Sequence, residues 1–89
     1  MLRDKRPLLS KNLKIIEYVG ILYATFDGEK IWEIDKGTYA VMRMCDGKKT
    51  VEEIAKEIAK KIDSSVEDVL PTLERILSDL EKHKFITFV

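Results

Sequence analysis

The first third of the chain carries β-branched and aromatic residues in three short runs that are separated by glycine-containing turns. The runs are residues 13–19, 21–26 and 30–34. Gly20 and the Asp27-Gly28 pair suit the tight turns that join neighbouring antiparallel strands. The pattern therefore predicts a three-stranded antiparallel sheet in sequence order. Because apolar residues occupy both parities of the first two runs, we expect both faces of this sheet to be partly covered.

From Asp35 onward the apolar residues recur at every third or fourth position, which is the spacing of amphipathic helices. The first predicted helix runs from about Lys36 to Cys45, with Asp35 as its N-cap. The second begins after Thr50, because Thr50 and Glu53 have the spacing of a capping box. Its apolar stripe consists of Val51, Ile54, Ala55, Ile58, Ala59 and Ile62.

The third predicted helix ends near Lys82, and Pro71 leaves its beginning open. If Ser65 is the N-cap, Pro71 lies beyond the first turn and removes a helical hydrogen bond. If the helix begins at Asp68, Pro71 falls where the backbone N–H is unpaired anyway. Its apolar face consists of Val66, Val69, Leu70, Leu73, Ile76, Leu77 and Leu80. Residues 85–89 are apolar and rich in strand formers, so we expect a terminal strand or an extended segment.

This order of elements predicts an α+β fold. A three-stranded antiparallel sheet is followed by three helices, in an arrangement like that of a winged helix-turn-helix. The chain of 89 residues has the length of one small domain, so we expect a single domain over residues 1–89.

The composition excludes several classes of function. The 16 Lys and Arg residues balance 16 Asp and Glu residues, which argues against nucleic acid as a partner. Cys45 is the only cysteine, and no Cys/His cluster has the spacing of a metal site. His83 lies far from Cys45 in the sequence, and the sequence assigns neither the proximity nor the orienting third group that a Cys/His pair needs for nucleophilic catalysis. We therefore expect no enzyme activity, no catalytic residue, no metal and no cofactor.

The apolar runs are all short. None approaches the roughly 20 apolar residues that cross a bilayer, and the charged N-terminus is not followed by the apolar core of a signal peptide. The sequence therefore predicts a cytoplasmic protein that does not insert into a membrane.

Several motifs resemble those of the PqqD-like family, which are small recognition elements for ribosomally made, post-translationally modified peptides. The matching residues are Arg6-Pro7, Ile34-Asp35, the run DGKKTVEEIA from Asp46 to Ala55, Leu73, Ile76-Leu77, Leu80 and Phe85-Ile86. Three positions depart from the family pattern: Gly37-Thr38 reverses a usual Thr-Gly pair, Thr72 replaces an aspartate, and Lys84 replaces a glycine. The departures fall on the scaffold more than on the binding edge.

The resemblance implies a peptide-binding function. Such a protein captures the leader segment of a precursor peptide by β-strand addition and presents it to a modifying enzyme, often a radical S-adenosylmethionine (SAM) maturase. In the family the leader pairs with the third strand and lies against the third helix. On this chain the strand residues are Lys30, Ile31, Trp32, Glu33 and Ile34, and the helix residues are Thr72, Leu73, Ile76, Leu77 and Leu80.

Two alternatives remain. A winged helix can be a DNA-binding regulator, but the third helix carries mostly acidic residues that duplex DNA would repel. They are Glu67, Asp68, Glu74, Asp79 and Glu81, against Arg75 and Lys82. A structural or oligomerisation module is the second alternative, because apolar residues on both sheet faces also suit a homodimer.

Overall fold

The predicted order of sheet and helices is confirmed. The structure, a computed structural model, describes residues 2–89, so Met1 of the predicted domain lies outside the described residues. After a short 3-10 turn at Leu2–Asp4, the strands are β1 (Pro7–Leu9), β2 (Lys14–Tyr18), β3 (Ile21–Thr25), β4 (Trp32–Ile34) and β5 (Ile86–Phe88). The helices are α1 (Lys36–Arg43), α2 (Val51–Ile62) and α3 (Val66–Lys82).

The strands form two sheets. β2, β3 and β4 form the predicted antiparallel sheet in sequence order, and β1 pairs with β5 in a second, two-stranded sheet that joins the two ends of the described chain. β5 confirms the terminal strand that the sequence predicts. β1 was not predicted, because three residues that begin with a proline carry little strand signal.

The two connections within the three-stranded sheet differ in length. Tyr18 pairs with Ile21, so the first turn contains only Val19 and Gly20, and both have positive φ (51° and 77°), as a type I′ turn requires. The second connection is a wider loop over residues 26–31. The predicted strand over residues 30–34 is therefore too long, because β4 begins at Trp32.

Side-chain hydrogen bonds explain the wide loop. Thr25 Oγ1 accepts from the backbone N–H of Gly28 (2.8 Å) and donates to the carbonyl of Lys30 (2.7 Å). The carboxylate of Asp27 accepts from the backbone N–H groups of Glu29 (2.9 Å) and Lys30 (3.1 Å). These bonds hold the backbone in a compact turn up to Lys30, which delays the return strand by two residues.

All three helices begin at side-chain caps. Asp35 accepts from Thr38 N–H at 2.6 Å, and Thr50 and Glu53 form the predicted capping box. Ser65 caps α3, so of the two predicted starts the structure adopts the one that places Pro71 inside the helix. α1 ends at Arg43, two residues before the predicted Cys45.

The core lies between the inner face of the three-stranded sheet and the helices. Its least exposed large side chains are Met42, Val51, Ile54, Leu73 and Leu77. One residue of the predicted apolar stripe of α2 lies outside the core, because Ile62 at the helix end is 61% exposed.

The expectation that both sheet faces are partly covered holds for the outer face only near Thr25, which is 1% exposed. Ile16, Tyr18 and Ile21 share the outer face and are 48%, 70% and 39% exposed. The helices pack only on the opposite face, against Ala24 and Ile34, which are 0% and 7% exposed.

Candidate functional site

The outer edge of β4 has no backbone partner among residues 2–89. β4 pairs with β3 on one side only, and the paired ends of the chain lie in the separate sheet of β1 and β5. A strand with one free edge can accept an added strand from another chain.

The register determines which backbone groups of β4 point outward. In the two-residue turn, Tyr18 and Ile21 are the hydrogen-bonded pair that closes the hairpin, so on β3 alternate residues from Ile21 onward face β2. The intervening residues of β3 therefore face β4, where they pair with Trp32 and Ile34. It follows that Glu33, between those two residues, directs its N–H and C=O away from the sheet.

A depression of about 300 Å³ lies beside this edge, between β4, the start of α1 and the end of α3. We call it the trough. Its lining residues are Trp32, Glu33, Ile34, Asp35, Thr38, Asp79, Leu80, His83 and Phe85. An extended segment bonded to Glu33 would therefore lie against side chains of three different elements.

One end of the trough is aromatic. The ring centroid of Trp32 lies 5.2 Å from that of Phe85 and 6.1 Å from that of His83, in edge-to-face geometry. The His83 ring is fixed further by a hydrogen bond of 2.9 Å between Nδ1 and the carbonyl of Asp79, in which Nδ1 must be the donor because a carbonyl only accepts. This end offers an aromatic wall.

The other end is acidic. Asp35 follows Ile34 directly, and its hydrogen bonds from Thr38, first from the hydroxyl and then from the backbone N–H, lower the pKa of its carboxyl from the ordinary value. Asp79 lies on the facing wall, on α3. In the described part of the chain, neither carboxylate is within ion-pair distance of a basic side chain.

The structure brings four of the ten predicted binding residues into the trough: Trp32, Glu33, Ile34 and Leu80. Lys30 and Ile31 are exposed and lie in the loop before β4. Their predicted place in the strand is therefore wrong.

The remaining predicted helix residues lie elsewhere. Thr72, Leu73 and Ile76 line a second depression of about 250 Å³, which α1 and α2 complete with Val41 and Ile58. Leu77 is 0% exposed and belongs to the core. The reason is helical geometry, because α3 turns most of its broad apolar face toward α1 and α2 and only its last turns run beside β4.

Sequence reasoning missed five of the lining residues: Asp35, Thr38, Asp79, His83 and Phe85. A partial signal was present, since His83 follows Leu80 by three residues and Asp79 by four, the spacings of neighbours on a helix surface. The contact between Trp32 and Phe85 joins residues far apart in the sequence, and spacing alone does not reveal it.

The only thiol of the chain, Cys45, is buried and does not line the trough. Burial, and to a smaller extent the nearby charge of Asp46, raises the pKa of the only thiol, Cys45, to about 12, so this thiol is a poor nucleophile near neutral pH. Across residues 2–89 no three metal-binding side chains cluster. Within the same range, no helix has the length and apolarity of a membrane span.

Comparison with known proteins identifies a family for most of the chain. A family model described as coenzyme PQQ synthesis protein D (PqqD) matches residues 23–86, which run from β3 to the start of β5 and include the whole trough. Neither a curated protein nor a solved structure shows a significant match. The match spans well over half of the chain and confirms the resemblance in its motifs: the protein belongs to the PqqD family.

Proposed function

We propose that this protein binds the leader segment of a ribosomally made precursor peptide and presents it to a modifying enzyme, such as a radical SAM maturase. The leader adds to the free edge of β4 as a further strand and lies in the trough. The observation that carries this proposal is the outward backbone of Glu33 beside a depression with an apolar wall. Family membership supports the peptide partner.

Strand addition suits a partner whose sequence varies. Main-chain hydrogen bonds to Glu33 are the same for every leader and supply affinity, whereas side chains facing the trough supply selectivity. The leader is a separate segment, so the modified part of the precursor stays free for the enzyme. The domain then acts by raising the effective concentration of substrate at the enzyme.

The sheet has a second free edge, on β2, but its surroundings are different. Four of the five residues of β2 are exposed, and β2 contributes no residue to either depression described above. A strand added there would gain backbone hydrogen bonds without side-chain contacts to a helix. The trough therefore favours β4 over β2.

The proposal is tested by titrating the ¹⁵N-labelled protein with synthetic peptides that cover the N-terminal halves of short reading frames next to its gene. We expect one peptide to shift the amide signals of residues 30–34 and 79–83 at micromolar concentration. Shifts confined to α2, or no shifts with any of the peptides, would contradict the proposal.

The presenting role has its own test. The neighbouring maturase is incubated with the same precursor at a concentration below its KM, with and without this protein. We expect the protein to increase the rate of modification, and a variant that cannot add a strand at Glu33 to leave the rate unchanged. An equal increase with both proteins would show that presentation does not use β4.

A further inference from the structure

The contacts along α3 place the aromatic residues and the acidic residues at opposite ends of the trough. Trp32 contacts His83 and Phe85 beyond the end of α3. Asp79 lies one helical turn before His83, about 6 Å back along α3. Further back still, Ile76 lines the second depression together with Val41 of α1. α3 thus runs backward beside β4 and α1, which places Asp79 at the Ile34 end, near Asp35 and Thr38.

Strand geometry then fixes which residues of a bound peptide reach each end. In antiparallel addition, the peptide residue that bonds to Glu33 lies directly opposite it and shares the outward face of the Glu33 side chain. Its two neighbours point into the trough, one opposite Trp32 and the other opposite Ile34. These two positions are separated by one residue of the peptide.

We propose that the trough selects an extended peptide with a large apolar side chain opposite Trp32 and a lysine or arginine two residues away, opposite Ile34. The inference rests on the proposed function and deepens it, because it gives the chemistry of the recognised segment. The apolar side chain packs on the aromatic wall formed with His83 and Phe85. The basic side chain lies between the carboxylates of Asp35 and Asp79.

The surrounding charges favour a cation at that end. The ionisable residues that line the trough are Glu33, Asp35, Asp79 and His83, and no lysine or arginine lines it. Lys84 follows His83 directly but lines a different depression, with Leu8 and Ile86. An acidic peptide side chain at this position would be repelled, which gives selectivity as well as attraction.

The test uses an mRNA-display library of random peptides about 12 residues long, selected on the immobilised full-length protein. We expect the enriched peptides to share a Lys or Arg two positions before a large apolar residue, because an antiparallel strand passes Ile34 before Trp32. Replacing that basic residue by glutamine in a selected peptide should weaken binding about fivefold at low salt. The difference should shrink at about 0.5 M NaCl, where exposed charges are screened.

Two variants locate the acidic partner. Asp79→Asn keeps the shape of an exposed side chain and removes its charge, and in this variant the fivefold difference between the basic and glutamine peptides should fall to less than about twofold. Glu81→Gln is the matched control, because Glu81 is also exposed on α3 but faces the depression near Leu8. In the Glu81→Gln variant, the fivefold difference in affinity between the basic and glutamine peptides should remain.

The possible failures are distinguishable. If no enriched peptide shifts the amide signals of β4, the proposed function itself fails. If peptides bind at β4 but lack the basic residue, or if Asp79→Asn retains the full fivefold difference, strand addition stands and the inferred selectivity is wrong.

Discussion

Two strands of this protein have the same length and opposite surroundings. β1 (Pro7–Leu9) and β4 (Trp32–Ile34) each contain three residues. One edge of β1 bonds to β5. The other edge bonds to the loop between α1 and α2: Leu9 N–H donates to the Cys45 carbonyl, and the Pro7 carbonyl accepts from Gly47 N–H, both at 2.9 Å. β4 bonds on one edge only.

The difference shows that an open edge is not a general consequence of short strands in this fold. Where the two ends of the described chain meet, backbone hydrogen bonds form on both edges of β1. At β4 the trough lies between the free edge and the neighbouring helices α1 and α3. Because an exposed strand edge invites unwanted pairing, its retention here fits a strand with an external partner.

The largest effect on stability is expected from removing a backbone hydrogen bond of β1. Leu9→Pro removes the N–H that bonds to the carbonyl of buried Cys45, and should lower the free energy of unfolding by about 3 kcal/mol. Urea denaturation measures this loss. Leu9→Ala is the control, because it shortens the side chain and keeps the N–H; a loss as large in the control would show that the hydrogen bond is unimportant.

A proline on the free edge of β4 should weaken peptide binding and leave the stability nearly unchanged. Because Glu33 N–H points outward, Glu33→Pro should lower the free energy of unfolding by less than about 1 kcal/mol. It should nevertheless weaken peptide binding more than tenfold, since proline removes the donor that an added strand uses. Calorimetric titration with a selected peptide measures the affinity, and unchanged affinity would contradict the role of this edge.

The stability of the protein should also depend on pH through Cys45, the residue whose carbonyl bonds to β1. Burial holds the Cys45 thiol protonated, so its stabilising contribution is complete below the ordinary pKa of 9.0 and is lost as the pH rises toward the raised pKa of about 12. Between pH 9 and pH 10 the protein should lose about 1 kcal/mol more stability than Cys45→Ala does, because the unfolded thiol is already half ionised at pH 9. Denaturation curves at both pH values test this, and parallel losses in the two proteins would show that Cys45 does not titrate on unfolding.

The smallest effect is expected at the other free edge of the same sheet. By the same register, Glu17 of β2 directs its N–H outward, as Glu33 does on β4. Glu17→Pro should therefore change stability as little as Glu33→Pro, and it should leave peptide affinity within about twofold. A loss of affinity equal to that of Glu33→Pro would move the binding edge to β2.

Local sequence signals predicted most of the fold. The capping box at Thr50 and Glu53 and the Asp35 cap fix the starts of two helices, and both depend on residues within one turn. The bounds of β4 escaped prediction because the bonds of Thr25 and Asp27 compete with strand extension.

The composition of the trough was harder to predict than the fold. Leu73 and Leu80 fall on the same apolar stripe in sequence, yet Leu80 lines the trough and Leu73 lines the second depression. Which neighbour a helical residue meets depends on how α3 crosses the sheet, and that angle is set by the whole core. The aromatic contact of Trp32 with Phe85 has the same origin.

Amide hydrogen exchange at β4 tests the central claim most directly. In the free protein we expect Trp32 and Ile34 to be protected by their bonds to β3 and Glu33 to exchange rapidly. With saturating peptide, the Glu33 amide should become protected while Glu17 on β2 still exchanges rapidly. A saturated complex in which the Glu33 amide exchanges as fast as in the free protein would contradict strand addition at β4.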